Sequence, residues 1–229
     1  MKKAAISIFL LLVLSGQALA AEDEILELYR KNVFGIWNDT AGSGGVAGCI
    51  GFTWKEDALA TSVSKGAITR SFMLTAGHCP RPYIRFEEYM YQKPEFLFRE
   101  LELEKGRDML LASMTDYRPI RSYFKELKRN LEENEILYFA KDKLEWGKDV
   151  EIQEAKYLAE RDGWIMISAV NPIEDGVSGA PVITRNGELV GTVIGKWRVS
   201  HFIGFIMPVS EINKVFDEEK DFLDAREYK

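Results

Sequence analysis

The feature that most narrows the fold of this chain is a succession of short apolar or alternating segments, each closed off by turn-forming residues. Val46–Trp54, Ala67–Thr75, Tyr83–Phe86, Phe96–Leu103 and Met109–Met114 read as strands. A second set follows: Glu135–Ala140, Val150–Leu158, Trp164–Ser168, Ala180–Thr184, Leu189–Ile194 and Ile203–Met207. Asn186-Gly187 between two of these is a strong hairpin signal, because both residues tolerate positive φ. Three stretches read as helical instead. Glu22–Phe34 carries a stripe of Ile25, Leu26, Leu28, Tyr29 and Val33, and Gly42-Ser43-Gly44-Gly45 beyond it cannot stay helical. Ser122–Leu131 spaces Tyr123, Leu127 and Leu131 four apart, with Phe124 beside them, which predicts a short helix. After Pro208, Val209, Ile212, Val215 and Phe216 form one face of a closing helix, and the charged tail from Asp217 reads as solvated or frayed. Two strand sets with a terminal helix predict an all-β fold built from a pair of small antiparallel barrels.

The N-terminus stands outside that fold. Lys2 and Lys3, the apolar run Ala4–Leu14 and the small-residue site Ala18-Leu19-Ala20 make a secretory signal peptide, with cleavage predicted after Ala20. Its apolar stretch is too short to span a bilayer, although retention as an uncleaved anchor is the alternative. No later segment approaches ~18 apolar residues, so a secreted or periplasmic chain without membrane association is expected. Cleavage leaves 209 of the 229 residues, and removal of two lysines takes the formal charge from −6 to −8. Nothing basic enough to track a nucleic-acid backbone is left. The sequence does not set the oligomeric state, and a monomer is the expectation. Cys49 and Cys79 are the two cysteines; in an exported chain an even count reads as a disulfide. A metal pair is the alternative, but His78 and His201 are the only histidines and no C-x-x-C spacing occurs.

Hydrolysis of a peptide or ester bond by a hydroxyl needs a serine on a tight turn, a base for its proton, and donors for the oxyanion. Asp175-Gly176-Val177-Ser178-Gly179-Ala180-Pro181-Val182 supplies the first. Glycines flanking Ser178 permit a sharp bend that aims the amides of Gly176 and Ser178 into one concavity, an oxyanion hole. Alone, the pattern is weak, since surface turns use the same residues. The candidate base is His78, delivered by the apolar segment Ser71–Gly77; His201, between Ser200 and Phe202, reads as a loop or surface residue. The group orienting the imidazole is Asp108, set before the apolar Met109–Ala112, with Asp116 and Asp142 as compositional rivals. The order His, Asp, Ser separates this arrangement from those of subtilisins and α/β-hydrolases.

With those residues in place, a resemblance follows. Leu74-Thr75-Ala76-Gly77-His78-Cys79 closely resembles the Leu-Thr-Ala-Ala-His-Cys signature of trypsin-like (family S1) serine proteases. Asp108-Met109-Leu110-Leu111 is similar to that family's Asp-Ile-Ala-Leu, and Gly176-Val177-Ser178-Gly179-Ala180-Pro181 to its Gly-Asp-Ser-Gly-Gly-Pro. Cys49 matches the cysteine that pairs with the one beside the catalytic histidine, so the resemblance implies a Cys49–Cys79 disulfide. Ala169-Val170-Asn171-Pro172 and Phe205-Ile206-Met207-Pro208 resemble the bacterial HtrA-like and glutamyl-endopeptidase-like branch, here without a PDZ domain. The resemblance covers roughly Asn32 to Phe216 and is motif-deep. It implies two six-stranded antiparallel Greek-key barrels of the chymotrypsin type and a short C-terminal helix. Residues 21–120 would form the first barrel with an N-terminal helix, and residues 121–229 the second barrel and the closing helix, together one peptidase domain. The implied activity is that of a serine endopeptidase with His78, Asp108 and Ser178 as triad and a polypeptide as substrate. Neither a metal nor an organic cofactor is implied.

Departures from the family pattern carry information too. Val177 stands where vertebrate members carry an aspartate that pairs with a freed N-terminus, so no activation cleavage beyond signal removal is expected. Ala180 replaces the second glycine. By the resemblance, the base of the specificity pocket falls near Pro172 and Ile173, and its wall near Val193, Ile194 and Gly195. No acid sits at the base, and Val193 replaces the histidine of glutamate-specific relatives. Lys196 at the rim has two readings, attraction of an acidic side chain or a solvated lysine; the second is the one adopted, and the expected side chain before the scissile bond is apolar. A catalytically silent binding protein on the same fold and an esterase using the same triad are the rival readings.

Overall fold

The computed structural model describes residues 23–37, 48–59, 68–79, 83–86, 89–92, 95–102, 107–116, 123–144 and 148–226. The signal-peptide reading and the glycine-rich stretch 42–45 lie outside them. Helix α1, residues 23–32, runs directly into β1 (Val33–Trp37). The first half continues with β2 (Cys49–Leu59), β3 (Ile68–Thr75), β4 (Tyr83–Phe86), β5 (Tyr89–Gln92), β6 (Glu95–Glu102) and β7 (Arg107–Asp116). These form one antiparallel sheet in the order β5-β4-β1-β2-β3-β7-β6.

The second half comprises β8 (Lys125–Glu126), β9 (Ile136–Ala140), β10 (Ile152–Arg161), β11 (Trp164–Ala169), β12 (Pro181–Thr184), β13 (Glu188–Trp197) and β14 (Ser200–Pro208). Its order is β12-β9-β10-β11-β14-β13, and pairing of β12 with β13 closes it into a six-stranded barrel. The short β8 runs parallel to β13. In both halves three consecutive strands are followed by a fourth that returns beside the first, β4-β1-β2-β3 and β12-β9-β10-β11, which is the Greek-key connection. Helix α2, Val209–Arg226, ends the described chain. The all-β class with a C-terminal helix is as the sequence predicts.

Burial follows the strand period where one face meets water. In β11, buried and half-buried residues alternate from Trp164 to Ala169. All four residues of β12 are buried, and α1 meets this strand: the buried Tyr29 hydroxyl donates to the Pro181 carbonyl. Phe124 links the halves, edge-on to Tyr29 (5.8 Å) and to Phe52 (5.9 Å). Edge-to-face pairs of this sort contribute roughly 0.5–1.5 kcal/mol each beyond their buried area.

The structure revises several local expectations. Of the segment 122–131 expected to be helical, the described residues 123–131 are not: Phe124 turns into the core and the Leu127 amide donates to the Leu189 carbonyl, so the edge of β13 recruits this backbone. The charged tail from Asp217 continues α2 to Arg226, and Glu218 grips the Arg107 guanidinium at 2.9 and 3.1 Å. Helix α1 stops at 32 and the chain becomes β1, because Val33–Ile36 pair with Cys49–Phe52 of β2. The hairpin at Asn186-Gly187 is present, with the Gly187 amide bonded to the Thr184 carbonyl, but positive φ is taken by Gly187 alone (74°).

Candidate active site

Strand β3 ends at Thr75, and the chain turns through Ala76 and Gly77 to set His78 at the surface and Cys79 in the core. Two interactions fix that turn. Cys79 is disulfide-bonded to Cys49 at the start of β2, and the Thr75 hydroxyl donates to the Ile50 carbonyl at 2.7 Å. An imidazole nitrogen of His78 lies within 4.8 Å of both sulfurs; both sulfurs are committed to the disulfide.

Asp108 comes from β7, next to β3 in the sheet, where Thr75 pairs with Leu110. Its side chain is only 2% exposed, against 40% for His78. One carboxylate oxygen accepts from the His78 amide at 2.9 Å, and the other meets His78 Nδ1 at 2.7 Å. A carboxylate at Nδ1 leaves that nitrogen protonated and Nε2 free to accept a proton. Of the compositional rivals, Asp142 is half-exposed and lies near Lys141, while Asp116 sits at the far end of β7 opposite Thr69.

Ser178 belongs to the loop between β11 and β12, and backbone bonds from both halves fasten it. The Ile50 amide of β2 donates to the Ser178 carbonyl at 2.8 Å, and that carbonyl lies 3.9 Å from Cys79 Sγ. On the other side, the Gly179 amide donates to the Val193 carbonyl at 2.7 Å and the Val193 amide to the Ala180 carbonyl at 2.9 Å. The turn works only with glycine at 179. Its φ is +87°, and a Cβ there would fall far inside van der Waals distance of the Ile50 carbonyl oxygen and the Thr75 hydroxyl. Gly176 also has positive φ, 94°. Among the described residues, neither the Gly176 nor the Ser178 amide donates to a protein acceptor, and Ser178 Oγ makes no hydrogen bond with His78. Three segments remote in sequence thus converge on one disulfide.

The residues expected to line a specificity pocket divide. Ile173 and Val193 are buried, Ile173 packing against Ile167 and Gly204 of the barrel interior, so their side chains serve the core. Pro172 is exposed, and a methyl at Gly195 would meet nothing within 4 Å. Ile194 is the residue at which β13 slips register against β14, Val193 pairing with Ile206 and Gly195 with Phe205. The reading of Lys196 as a solvated lysine is overturned. Its side chain is 22% exposed, and its ammonium donates to the Ile173 carbonyl at 2.9 Å and pairs with Asp175 at 3.0 Å. That neighbour holds the Asp175 carboxyl below its ordinary range, with smaller contributions from His201 and Lys143. Lys196 was identifiable from sequence as a rim residue, but its partners lie more than twenty residues earlier and carry no local signal.

This architecture is the chymotrypsin-like serine protease fold. No family model and no curated protein matches the sequence. Solved structures do match. A serine endoprotease from Yersinia pestis superposes with a TM-score of 0.61 at 15% identity, covering 85% of this chain and 65% of its own. Rv3671c from M. tuberculosis H37Rv, in an inactive serine-to-alanine form, gives 0.59 at 13% identity, covering 85% and 89%. The HtrA-type protease AlgW with a decapeptide gives 0.56 at 12% identity, covering 76% of this chain and 52% of its own.

Proposed function

We propose that this chain is an exported serine endopeptidase, its two halves, residues 21–120 and 121–229, forming one peptidase unit. Ser178 Oγ attacks the scissile carbonyl and its proton passes to His78 Nε2. The Gly176 and Ser178 amides receive the oxyanion, and Asp108 holds His78 while it is positively charged. His78 then protonates the leaving amine as the C–N bond breaks, leaving an acyl-enzyme on Ser178. A water molecule, deprotonated by His78, releases the acid and restores the serine. The observation that carries this reading is the two-point clamp of His78 by a buried carboxylate, at 2.9 and 2.7 Å. Nucleophile–base hydrogen bonds are commonly loose without substrate and tighten in the complex, so the open Ser178–His78 arrangement is compatible with it.

The test is intact mass of the exported protein before and after a fluorophosphonate probe, beside Ser178→Ala. The expected result is a chain beginning at Ala21, one adduct on the wild type and none on the variant. No adduct on the folded, disulfide-bonded protein would favour a silent binding protein. An adduct with turnover of simple esters but of no peptide would favour an esterase.

A further inference from the structure

Lys196 occupies a position that only the folded chain creates. It lies in β13 three residues beyond Val193, whose backbone fastens Gly179 and Ala180. From there its side chain reaches across to residues 173–175, the segment leading into Gly176 and Ser178. The two anchors of its ammonium differ. The Ile173 carbonyl is fixed, since Ile173 is buried and its own amide donates to the His201 carbonyl at 2.7 Å. The Asp175 carboxylate is 98% exposed and free to swing into solvent. His201 and Lys143 add positive potential at the same carboxylate. A chain of formal charge −6 therefore gathers three basic groups about one exposed acid, directly before the free Gly176 amide.

We propose that Lys196 determines specificity, and that the enzyme cleaves after an acidic side chain, whose carboxylate takes the place of Asp175 on the Lys196 ammonium. The inference rests on the endopeptidase reading and replaces the expectation of an apolar side chain there. Exchanging one carboxylate for another keeps the ammonium paired at all times. A basic side chain would meet the like charge of the Lys196 ammonium, and the amide isostere of an acidic one would forfeit the charge-assisted hydrogen bond.

The test uses matched chromogenic peptides that differ only before the scissile bond, carrying Glu, Gln, Leu or Lys. For the wild type, kcat/KM for Glu should exceed that for Gln by about ten- to a hundredfold, the range of a charge-assisted hydrogen bond. Lys196→Met should bring the two within about twofold while Leu and Gln peptides are still cut, and Lys196→Arg should keep the preference. Asp175→Asn, which removes the competing carboxylate, should lower KM for the Glu peptide. Equal cleavage of Glu and Gln by the wild type, or a preference that survives Lys196→Met, overturns the proposal. Calorimetric binding of peptides ending in Glu-amide or Gln-amide to the Ser178→Ala protein separates specificity from catalysis. Tighter binding of the Glu peptide by an enzyme that takes no probe would leave Lys196 its role and remove the endopeptidase reading. No difference between the two peptides, including no binding of either, overturns the role of Lys196 whatever the activity.

Discussion

Gly179→Ala is the smallest change that addresses how the nucleophile is held, and its cost follows from local geometry. At φ +87° an L-residue sits in the left-handed region, which costs about 1–2 kcal/mol for alanine relative to glycine. The new methyl is also driven into the Ile50 carbonyl oxygen and the Thr75 hydroxyl, and stands 3.1 Å from the Ala76 nitrogen. Two of these three are backbone atoms, so the turn itself must retreat. Retreat stretches the bonds that fasten it, Ile50 amide to Ser178 carbonyl at 2.8 Å and Gly179 amide to Val193 carbonyl at 2.7 Å, each worth about 1 kcal/mol. The expected destabilisation is about 3–5 kcal/mol, a fall in melting midpoint on the order of 10–15 °C for a chain this size. Reaction with the fluorophosphonate should slow with it, because the same retreat carries Ser178 away from His78. Gly195→Ala is the matched control, since its methyl meets nothing within 4 Å and stability should hold within about 0.5 kcal/mol. The assays are thermal melting by circular dichroism and probe kinetics by intact mass. A Gly179→Ala protein that melts within about 3 °C of wild type and labels at the same rate would refute the reasoning.

Two further outcomes follow. Asp108→Asn offers one acceptor oxygen and an NH2 to two donors, the His78 amide and Nδ1–H, so the imidazole loses its tautomer; probe labelling and peptide hydrolysis should fall about 10³–10⁴-fold, and a fall under tenfold would remove Asp108 from its role. Burial pushes the Tyr29 hydroxyl well above its ordinary pKa of 10.0, so the folded state keeps a proton that the unfolded chain gives up. Stability from this group is complete below about pH 10 and is lost as pH rises from there toward the folded value. Urea midpoints should thus drop more steeply above pH 10 for wild type than for Tyr29→Phe, and parallel curves would show that burial of this hydroxyl is not coupled to folding.

The local motifs were legible because each is contiguous. An apolar strand ending in His78-Cys79 and an acid before Met109–Ala112 are properties of neighbours in sequence, and β3 and β7 then deliver them side by side through the Thr75–Leu110 register. Segments whose conformation is set by distant partners were not legible. Residues 123–131 have helical spacing, yet Phe124 is worth more between Tyr29 and Phe52 than on a surface helix. Strand β1 is hidden because Val33 continues the stripe of α1, and only β2 tells the backbone to extend. The tail after Asp217 is mostly charged, but Glu218 reaches Arg107 and earlier turns of α2 are already docked. The partners of Lys196 belong to the same class, since nothing near residue 196 announces Ile173 or Asp175.

The two helices explain why a site divided between two halves can stay assembled. Helix α1 precedes the first sheet but meets the second barrel, through Tyr29 on Pro181 and Arg30 on Asp149. Helix α2 follows the second barrel but meets the first sheet. Phe216 stacks edge-on to Trp54 at 5.1 Å and Phe72 at 5.7 Å, Asn213 accepts from Lys55 at 2.6 Å, and Glu211 accepts from Arg107 at 2.8 Å. Each half therefore carries an element that packs against the other, and the halves cannot separate without exposing aromatic surface and breaking ion pairs at both ends. Halves of one chain joined by small polar contacts move relative to one another by default. Here that motion would separate Ser178, on the second half, from His78 and Asp108, on the first. The contacts bracket the proposed reacting groups directly: Tyr29 holds Pro181 three residues after Ser178, and Arg107 immediately before Asp108 is held by Glu211 and Glu218. Val177 is buried in the core, and the loop that carries Ser178 is held by Ile50, Val193 and Tyr29. Those groups are present as soon as the chain has folded, so on the proposed reading no cleavage beyond signal removal is expected to be needed.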